Sequence, residues 1–365
     1  MKIIGPIAGI GSRLKPFTLS KPKAFLTVAG KTVLDHNLLK FTNTFDSNTE
    51  LILIVGYKKR QIMEYIQKHY NEKFKLTFIE QIPRGYEEGI PYYWGLGEAV
   101  YLAHSRFKES KSKNLKDDKK EGSLIFLSDM IPIDEYSYLM YKYWESDVDG
   151  IITVMKVPKE DAHSYGIVTI DNNNLIQKLV EKPKKFVSDL AIAGPYAFSN
   201  TATCTLFRNL KKYLDQRTDN SKEIYMTQSL QDLVNQGYKI AAVKLKQGVM
   251  DFGRPSELLN GNKYLLEQNS IRVEDFQNLN IAVEKSFLKN PIYIGENTKI
   301  LNSVIGPYIS IGENSYIENC ILENCVIEKR ALLKNIISQN SIIGSNVKVE
   351  NICKDNLIIG DKSVY

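Results

Sequence analysis

Residues 2–23 read Lys-Ile-Ile-Gly-Pro-Ile-Ala-Gly-Ile-Gly-Ser-Arg-Leu-Lys-Pro-Phe-Thr-Leu-Ser-Lys-Pro-Lys. The apolar run Lys2–Ile7 has the length of a buried strand. It is followed at once by Ala8, Gly9, Gly11 and Ser12 in a tight loop, then by Arg13, Lys15, Lys21 and Lys23. Small residues let backbone N–H groups approach an oxyanion, and the cations neutralise its charge. The ligand that suits this combination is a polyphosphate. Two glycines alone would equally suit a plain strand-to-helix turn. Position adds weight to the first reading, because open α/β sheets take ligands outside the carboxyl ends of their strands.

Outward from this stretch, short apolar runs alternate with helical patterns up to about residue 268. The strand candidates are Lys2–Ile7, Leu51–Val55, Lys75–Ile79, Ser123–Leu127, Gly150–Met155, Gly166–Ile170 and Ile240–Leu245. The helix candidates are Val33–Thr42, Lys59–His69, Gly97–Phe107, Tyr136–Trp144, Ala202–Leu214, Tyr225–Gln236 and Pro255–Glu267. Strands separated by helices predict a Rossmann-like α/β unit over 1–268, with a mainly parallel sheet flanked by helices. After residue 281 the texture changes. Ile294-Gly-Glu-Asn, Ile305-Gly-Pro-Tyr, Ile311-Gly-Glu-Asn, Ile343-Gly-Ser-Asn and Ile359-Gly-Asp-Lys share one pattern, and many such units lie six residues apart. An aliphatic at every sixth position, followed by Gly or a small polar residue, predicts a linker and a parallel β-helix of hexapeptide repeats over 269–365. About four coils would fit this length. An irregular sandwich is the rival reading, and the regular Ile-Gly phase argues against it. Stacks of this kind expose open ends and flat faces, which predicts homo-oligomers formed through the β-helix.

The 365 residues leave room for two domains, and a net charge of +6 is too mild to suggest a nucleic-acid partner. Part of the excess lies in Lys108–Lys120, which reads as a solvated surface loop. Cys204, Cys320, Cys325 and Cys353 form no metal-like pair and read as reduced thiols. Residues 1–30 lack a signal-peptide pattern, and no apolar run approaches the ~18 residues of a membrane span. The expectation is a cytoplasmic protein with no membrane partner.

Other candidates for chemistry fall at strand ends. Ser128 and Asp129 follow the run Ser123–Leu127, so Asp129 would project toward the ligand crevice; an acid there also suits a helix cap. Asp251 follows a second apolar run and precedes a helix opened by Pro255. Two aspartates with a triphosphate supply the hard oxygens that Mg²⁺ prefers. In Glu181-Lys182-Pro183 the lysine sits before a proline, where it could set a point charge on a phosphate or form a surface ion pair. The histidines are His36, His69, His104 and His163. No Ser/His/Asp or Cys/His constellation is visible, which disfavours covalent acyl chemistry.

In this order the segments resemble the sugar-1-phosphate nucleotidyltransferases, also called nucleoside-diphosphate-sugar pyrophosphorylases. The resemblance covers nearly the whole chain. Ala8-Gly-Ile-Gly-Ser-Arg-Leu14 with Pro16, Thr18 and Lys21-Pro-Lys23 is similar to the family's signature loop. Gly95-Leu-Gly-Glu-Ala99 resembles its nucleoside-binding turn, and Asp129 and Asp251 match its two metal aspartates. Gly166, Glu181-Lys182-Pro183 and Ala193-Gly-Pro-Tyr196 resemble its sugar-phosphate pocket. The hexads are similar to the left-handed β-helix of its longer members.

The resemblance implies roles. Ala8, Gly9, Gly11 and Ser12 would contact the nucleotide; Gln81 and the backbone near Gly95 would read a pyrimidine base. Arg13 and Lys23 would hold the triphosphate and the departing pyrophosphate. Asp129 and Asp251 would hold Mg²⁺. Lys182 would anchor the sugar 1-phosphate, with Gly166, Glu181, Gly194 and Tyr196 around the sugar. The substrates implied are a nucleoside triphosphate, UTP or dTTP favoured by the short loop, and a sugar 1-phosphate, glucose 1-phosphate as default. Three other readings remain: a cytidylyltransferase acting on a phosphorylated alcohol, a bifunctional enzyme with an acetyltransferase in the β-helix, and a catalytically degenerate regulatory subunit. Acetyl transfer generally uses a histidine base, and residues 270–365 contain none. Retention of Arg13, Lys23, Asp129, Lys182 and Asp251 opposes the degenerate reading. Three departures from the family pattern stand out: the signature loop is one residue shorter than the commonest form, Ser128 replaces the usual glycine before the metal aspartate, and the segment Ile82–Trp94 is long.

Overall fold

The computed structural model describes residues 1–109, 114–217, 223–269 and 278–365. They fall into two compact units. One joins Met1–Gly9 to Asn37–Met250, and the other joins Ile10–His36 to Asp251–Tyr365. The signature loop from Ile10 onward and the helix Pro255–Gln268 therefore group with the C-terminal strands, while Ala8 and Gly9 stay with the first unit. Among the described residues no helix is long and apolar enough to cross a membrane.

The first unit is built on a nine-stranded sheet. At its centre Lys2–Pro6 pairs in parallel with Glu50–Val55 and Ser123–Ile125, and Glu50–Val55 pairs in parallel with Lys75–Glu80. These strands are continuous apolar runs because helices cover both faces. Ile4, Ile52 and Ile125 pack in one core with Val100, Leu206 and Leu230 of the helices. The other half is mixed. Leu190–Phe198 runs antiparallel to Ser123–Ile125, Gly150–Lys156 and Gly166–Ile170, and Ile176–Glu181 closes that edge. The described part of Lys108–Lys120 is not simply a solvated surface loop. Residues 110–113 lie outside the described residues, but Leu115–Glu121 is a helix, and Lys119 within it is buried. Its Nζ donates to the carbonyls of Tyr143 and Ser146 at 2.8 and 2.7 Å. A lysine can be buried when carbonyl acceptors satisfy its ammonium.

In the second unit, three parallel ladders stack as a β-helix. Ala282, Lys299, Tyr316, Leu332 and Lys348 stand in register on one face. Phe287, Val304, Ile321, Ile337 and Cys353 do so on the next. Ile292, Ile309 and then Val326, Ile342 and Ile358 belong to the third, which is a five-stranded sheet. Among the described residues each face thus has five rungs, where about four coils were expected. The repeat is shorter than three full hexads because corners turn on single residues of positive φ. Asn302, Asn319, Asn335 and Asn351 hold φ of 49–59°. Asparagine tolerates this region, and its amide bonds to its counterpart one coil on: Asn319 to Asn335 at 3.1 Å, Asn335 to Asn351 at 2.7 Å. The Ile-Gly phase also has a cause. A Cβ on Gly312 would sit 2.4 Å from Lys329 N in the next coil, so no larger residue fits. Isoleucines fill the interior, among them Ile294, Ile300, Ile311, Ile317 and Ile343. The linker expected from residue 269 falls mostly on 270–277, outside the described residues.

Candidate active site

In the first unit, three parallel strands bring four of the predicted positions to one sheet edge. Lys2–Pro6, Lys75–Glu80 and Ser123–Ile125 run in the same direction. Their carboxyl ends lead into Ala8 and Gly9, Gln81, and Asp129. Ala8 is buried and its carbonyl accepts from Tyr57 N–H at 3.3 Å.

The base-side candidates form a buried polar knot. Gln81 and Glu98 are both buried, and Gln81 Nε2 donates to Glu98 Oε2 at 2.7 Å. The same carboxylate accepts from Trp94 N–H at 3.1 Å and from Arg84 Nε at 2.7 Å. Arg84 and Arg217 lie over the Trp94 ring at 4.1 and 4.4 Å. The long segment 82–94 is thus a hairpin, Gly85–Glu87 against Ile90–Tyr92, tied at its base to Glu98. Gly95 caps the helix Leu96–Leu102, whose Gly97 N–H bonds Ile224 O at 2.8 Å. Sequence reading singled out Gln81 and Gly95 but gave Glu98, Arg84 and Trp94 no role. An acid in the first turn of an apolar helix was the available signal.

The predicted sugar-phosphate residues also gather. Gly166 pairs with Glu181 across the antiparallel edge. Glu181 Oε2 accepts from Thr227 Oγ1 at 3.1 Å. Burial pushes the Glu181 carboxyl above its ordinary pKa, and Thr227 and Lys182 pull it part of the way back. Lys182 has φ of 42°, a costly conformation for a non-glycine residue and one that clusters at functional sites. Its Nζ lies 3.9 Å from Glu181 Oε1 and 5.0 Å from the Tyr225 ring centroid. Tyr196 is buried, which raises its phenol pKa, with Glu181 adding to the shift. Gly194 packs beside Met130, the residue after Asp129. Ser128 is buried, and Met130 N–H closes the turn on Leu127 O at 3.3 Å. Thr227 and Tyr225 were missed because neither lies near the motif in sequence.

In the second unit the loop folds around Gly11. Its φ of 70° is left-handed, and a Cβ there would meet Lys23 Cβ at 2.8 Å. Thr18 Oγ1 donates to Gly11 O at 3.0 Å. Gly11, Thr18 and the stem of Lys23 are therefore packed together, and glycine is required on both grounds. Ser12 and Arg13 are exposed in the short turn Ser12–Leu14. Arg13 Nη2 and Asp251 Oδ1 each lie 3.0 Å from where a Cβ on Gly253 would sit, and Asp251 Oδ1 accepts Gly253 N–H at 2.8 Å. Arg13 also lines a cleft of about 580 Å³ with Arg254, Ser256, Asn340 and Asn356. Glu257 completes this charged patch. Burial and Asp251 raise its carboxyl pKa, while Arg254 and Arg13 lower it.

Lys21 departs from the reading of the loop as a row of phosphate-binding cations. Its Nζ sits 3.0 Å from Glu328 Oε2 and 3.1 Å from Asp361 Oδ1, both in the β-helix. Two largely buried carboxylates already neutralise it.

Residues 7–268 match the family model described as nucleotidyl transferase. The chain is 29% identical over 280 residues to the bifunctional protein GlmU of Methanocaldococcus jannaschii, covering 76% of this chain and 57% of that protein. It spans a little over half the length of such bifunctional relatives. Over another 280 residues it is 25% identical to the UTP–glucose-1-phosphate uridylyltransferase AglF of Haloferax volcanii, covering 75% of this chain and 100% of that one. Among solved structures, a UDP-glucose pyrophosphorylase from Acinetobacter baumannii superposes with a TM-score of 0.58 at 21% identity, covering 76% of this chain and 97% of its own. That likeness is one of fold.

Proposed function

This chain belongs to the nucleotidyl transferase family, and we propose that it transfers a nucleotidyl group from a nucleoside triphosphate to a sugar 1-phosphate. The products are a nucleoside-diphosphate sugar and pyrophosphate. UTP or dTTP is the preferred triphosphate and glucose 1-phosphate the default sugar. The observation that carries this reading is the shared sheet edge onto which Gly9, Gln81 and Asp129 open from parallel strands. Ligand sites of open α/β sheets lie at that edge.

In the proposed reaction an oxygen of the sugar phosphate bonds to the α-phosphorus, and the bond from that phosphorus to the α,β-bridging oxygen breaks. The bonding pair leaves with pyrophosphate. Both reactants are anions, so the protein's work is alignment and neutralisation. Arg13 and Lys23 hold the triphosphate and the departing group; Ala8, Gly9, Gly11 and Ser12 bring backbone to it. Gln81 faces the base beside Gly95. Lys182 sets the sugar phosphate, with Gly166, Glu181, Gly194 and Tyr196 around the sugar. No general base is required, because a phosphate monoester is already a competent nucleophile. Positioning of this kind supplies roughly 7–11 kcal/mol in favourable systems.

Asp129 and Asp251 are the residues that would hold Mg²⁺. Their carboxylate oxygens suit a hard cation that takes one or two carboxylates and completes its shell with substrate phosphates and water. Among the described residues no cluster of three or more His, Cys, Asp or Glu offers an alternative cage. When bound, the ion would supply charge neutralisation at the phosphates.

The β-helix is also proposed to join copies of the chain. Phe287, Val304, Ile321 and Ile337 are exposed on adjacent rungs of one face and support this. Light scattering of the wild type against Ile321→Glu tests it. The reaction itself is tested by a matrix of nucleoside triphosphates against several sugar 1-phosphates, read as pyrophosphate. Turnover with UTP or dTTP is the expected result. Release of pyrophosphate only with a phosphorylated alcohol and CTP would replace the sugar reading, and none with any pair would remove it.

A further inference from the structure

The segment that carries Lys23 is tied to the β-helix on both of its sides. On the N-terminal side, Lys21 Nζ meets Glu328 Oε2 at 3.0 Å and Asp361 Oδ1 at 3.1 Å, and donates to Ser345 Oγ at 3.2 Å. Ser20 Oγ donates to Asp361 Oδ2. On the C-terminal side, Thr27 N–H donates to Glu328 Oε1 at 3.1 Å. The two carboxylates are braced in turn by Ser345, whose N–H donates to Asp361 at 2.8 Å and whose hydroxyl donates to Glu328 at 3.1 Å. Side-chain exposure is 13% for Lys21, 5% for Glu328 and 8% for Asp361. Ion pairs screened this little from one another hold geometry far better than surface pairs.

The tether has a short path to the phosphate cradle. Pro22 fixes the backbone between Lys21 and Lys23 at φ of −60°. Lys23 then opens the turn Lys23–Phe25, with its stem against Gly11. Its backbone has little freedom between these anchors.

We propose that Glu328 and Asp361 of the β-helix, acting through Lys21, are positioning residues for the nucleotide: they set the Gly11–Lys23 cradle in the geometry that receives the triphosphate. This rests on the nucleotidyl-transfer reading above. It gives the β-helix a part in the reaction that needs neither a second activity nor a second copy of the chain.

The experiment uses the full chain and compares Lys21→Met, Asp361→Asn, their double variant and Lys21→Arg with wild type. KM for the triphosphate and for the sugar 1-phosphate are measured separately, alongside triphosphate binding by calorimetry and thermal melting. Wild-type turnover decides the reaction itself, so its absence is distinguishable from failure of the tether. With turnover present, Lys21→Met and Asp361→Asn should raise the triphosphate KM on the order of tenfold, with the sugar-phosphate KM within about twofold. The double variant should be no worse than the more impaired single, because all act through one ion cluster. Lys21→Arg should recover most of the affinity. A variant that melts with wild-type cooperativity yet keeps the wild-type triphosphate KM overturns the proposal. So does an equal rise in both KM values. If both single variants fail to fold, Lys21→Arg and the charge-balanced double variant carry the same comparison.

Discussion

Gln81 Nε2 donates to Glu98 Oε2 at 2.7 Å, and neither residue reaches solvent to any extent. A carboxylate only accepts, so it fixes the Gln81 amide with its NH₂ group toward Glu98. The carbonyl oxygen is left as the face offered elsewhere. An acceptor suits the N3–H of uracil or thymine and not the bare N3 of cytosine. Glu98→Gln removes this constraint, since a second amide pairs with either orientation. The kcat/KM ratio for UTP over CTP is expected to fall about tenfold, the size of one hydrogen bond left unmade. Arg84→Met is the control. It removes the Arg84 link between the hairpin and Glu98, keeps the Trp94 N–H bond, and should leave the base ratio unchanged. A Glu98→Gln enzyme that keeps the full preference for UTP would remove Gln81 as the base reader.

Asp129→Asn and Asp251→Asn should each lower pyrophosphate release at least about a hundredfold at saturating Mg²⁺, as loss of a charge-stabilising group does. Both substitutions keep the side-chain shape and an acceptor oxygen, and at Asp251 that oxygen still accepts the Gly253 N–H. Melting temperatures should therefore stay within a few degrees of wild type. Near-normal Mg²⁺-dependent turnover in either variant takes that residue out of the site.

Much of this was legible because it is periodic or local. The apolar runs Lys2–Ile7 and Leu51–Val55 are buried on both faces, so composition alone marks them as central strands. The Ile-Gly phase survives because the coils approach too closely at Gly312 for any side chain. The corner asparagines, such as Asn319 and Asn335, were not singled out, because their signal is conformational, a φ of 54°. The strand Leu190–Phe198 was read only as a pocket motif. Its antiparallel pairing with Gly150–Lys156 is set by partners far away in sequence. Lys119 reads as solvated and Lys21 as a phosphate-binding cation, since nothing local announces the carbonyls or carboxylates that satisfy them. Glu98 and Thr227 share this difficulty: a polar residue acquires its role from a partner brought by the fold.

At the proposed sugar end, acidity should report on Glu181. Burial raises its carboxyl pKa, so it takes up a proton at a higher pH than an ordinary glutamate. Protonation removes an acceptor, and kcat/KM for the sugar 1-phosphate should decline as pH falls through that raised value. Lys182 holds the pKa down. Lys182→Met should therefore shift the acid limb to higher pH, in addition to raising the sugar-phosphate KM. Glu181→Gln should flatten the limb. A pH profile for Lys182→Met shifted toward acid would contradict the sign of this interaction.

Asn335 stands in the middle of an amide ladder, accepting from Asn319 at 3.1 Å and donating to Asn351 at 2.7 Å, at φ of 54°. Two separable terms hold this corner. Asn335→Ala loses both hydrogen bonds and places a Cβ-bearing residue without local compensation in the left-handed region, at about 1–2 kcal/mol for the backbone alone. Asn335→Gly loses the same hydrogen bonds but accepts the backbone freely, at an unfolded-state cost of roughly 0.5–1 kcal/mol. Both variants should melt below wild type, with alanine lower than glycine. Asn335→Asp retains an acceptor for Asn319 but no donor for Asn351, so it should lose one of the two bonds and keep much of the backbone tolerance. Its melting temperature should exceed that of alanine. Alanine melting at or above glycine would mean that the corner conformation contributes nothing and that the ladder's amides alone hold successive coils together.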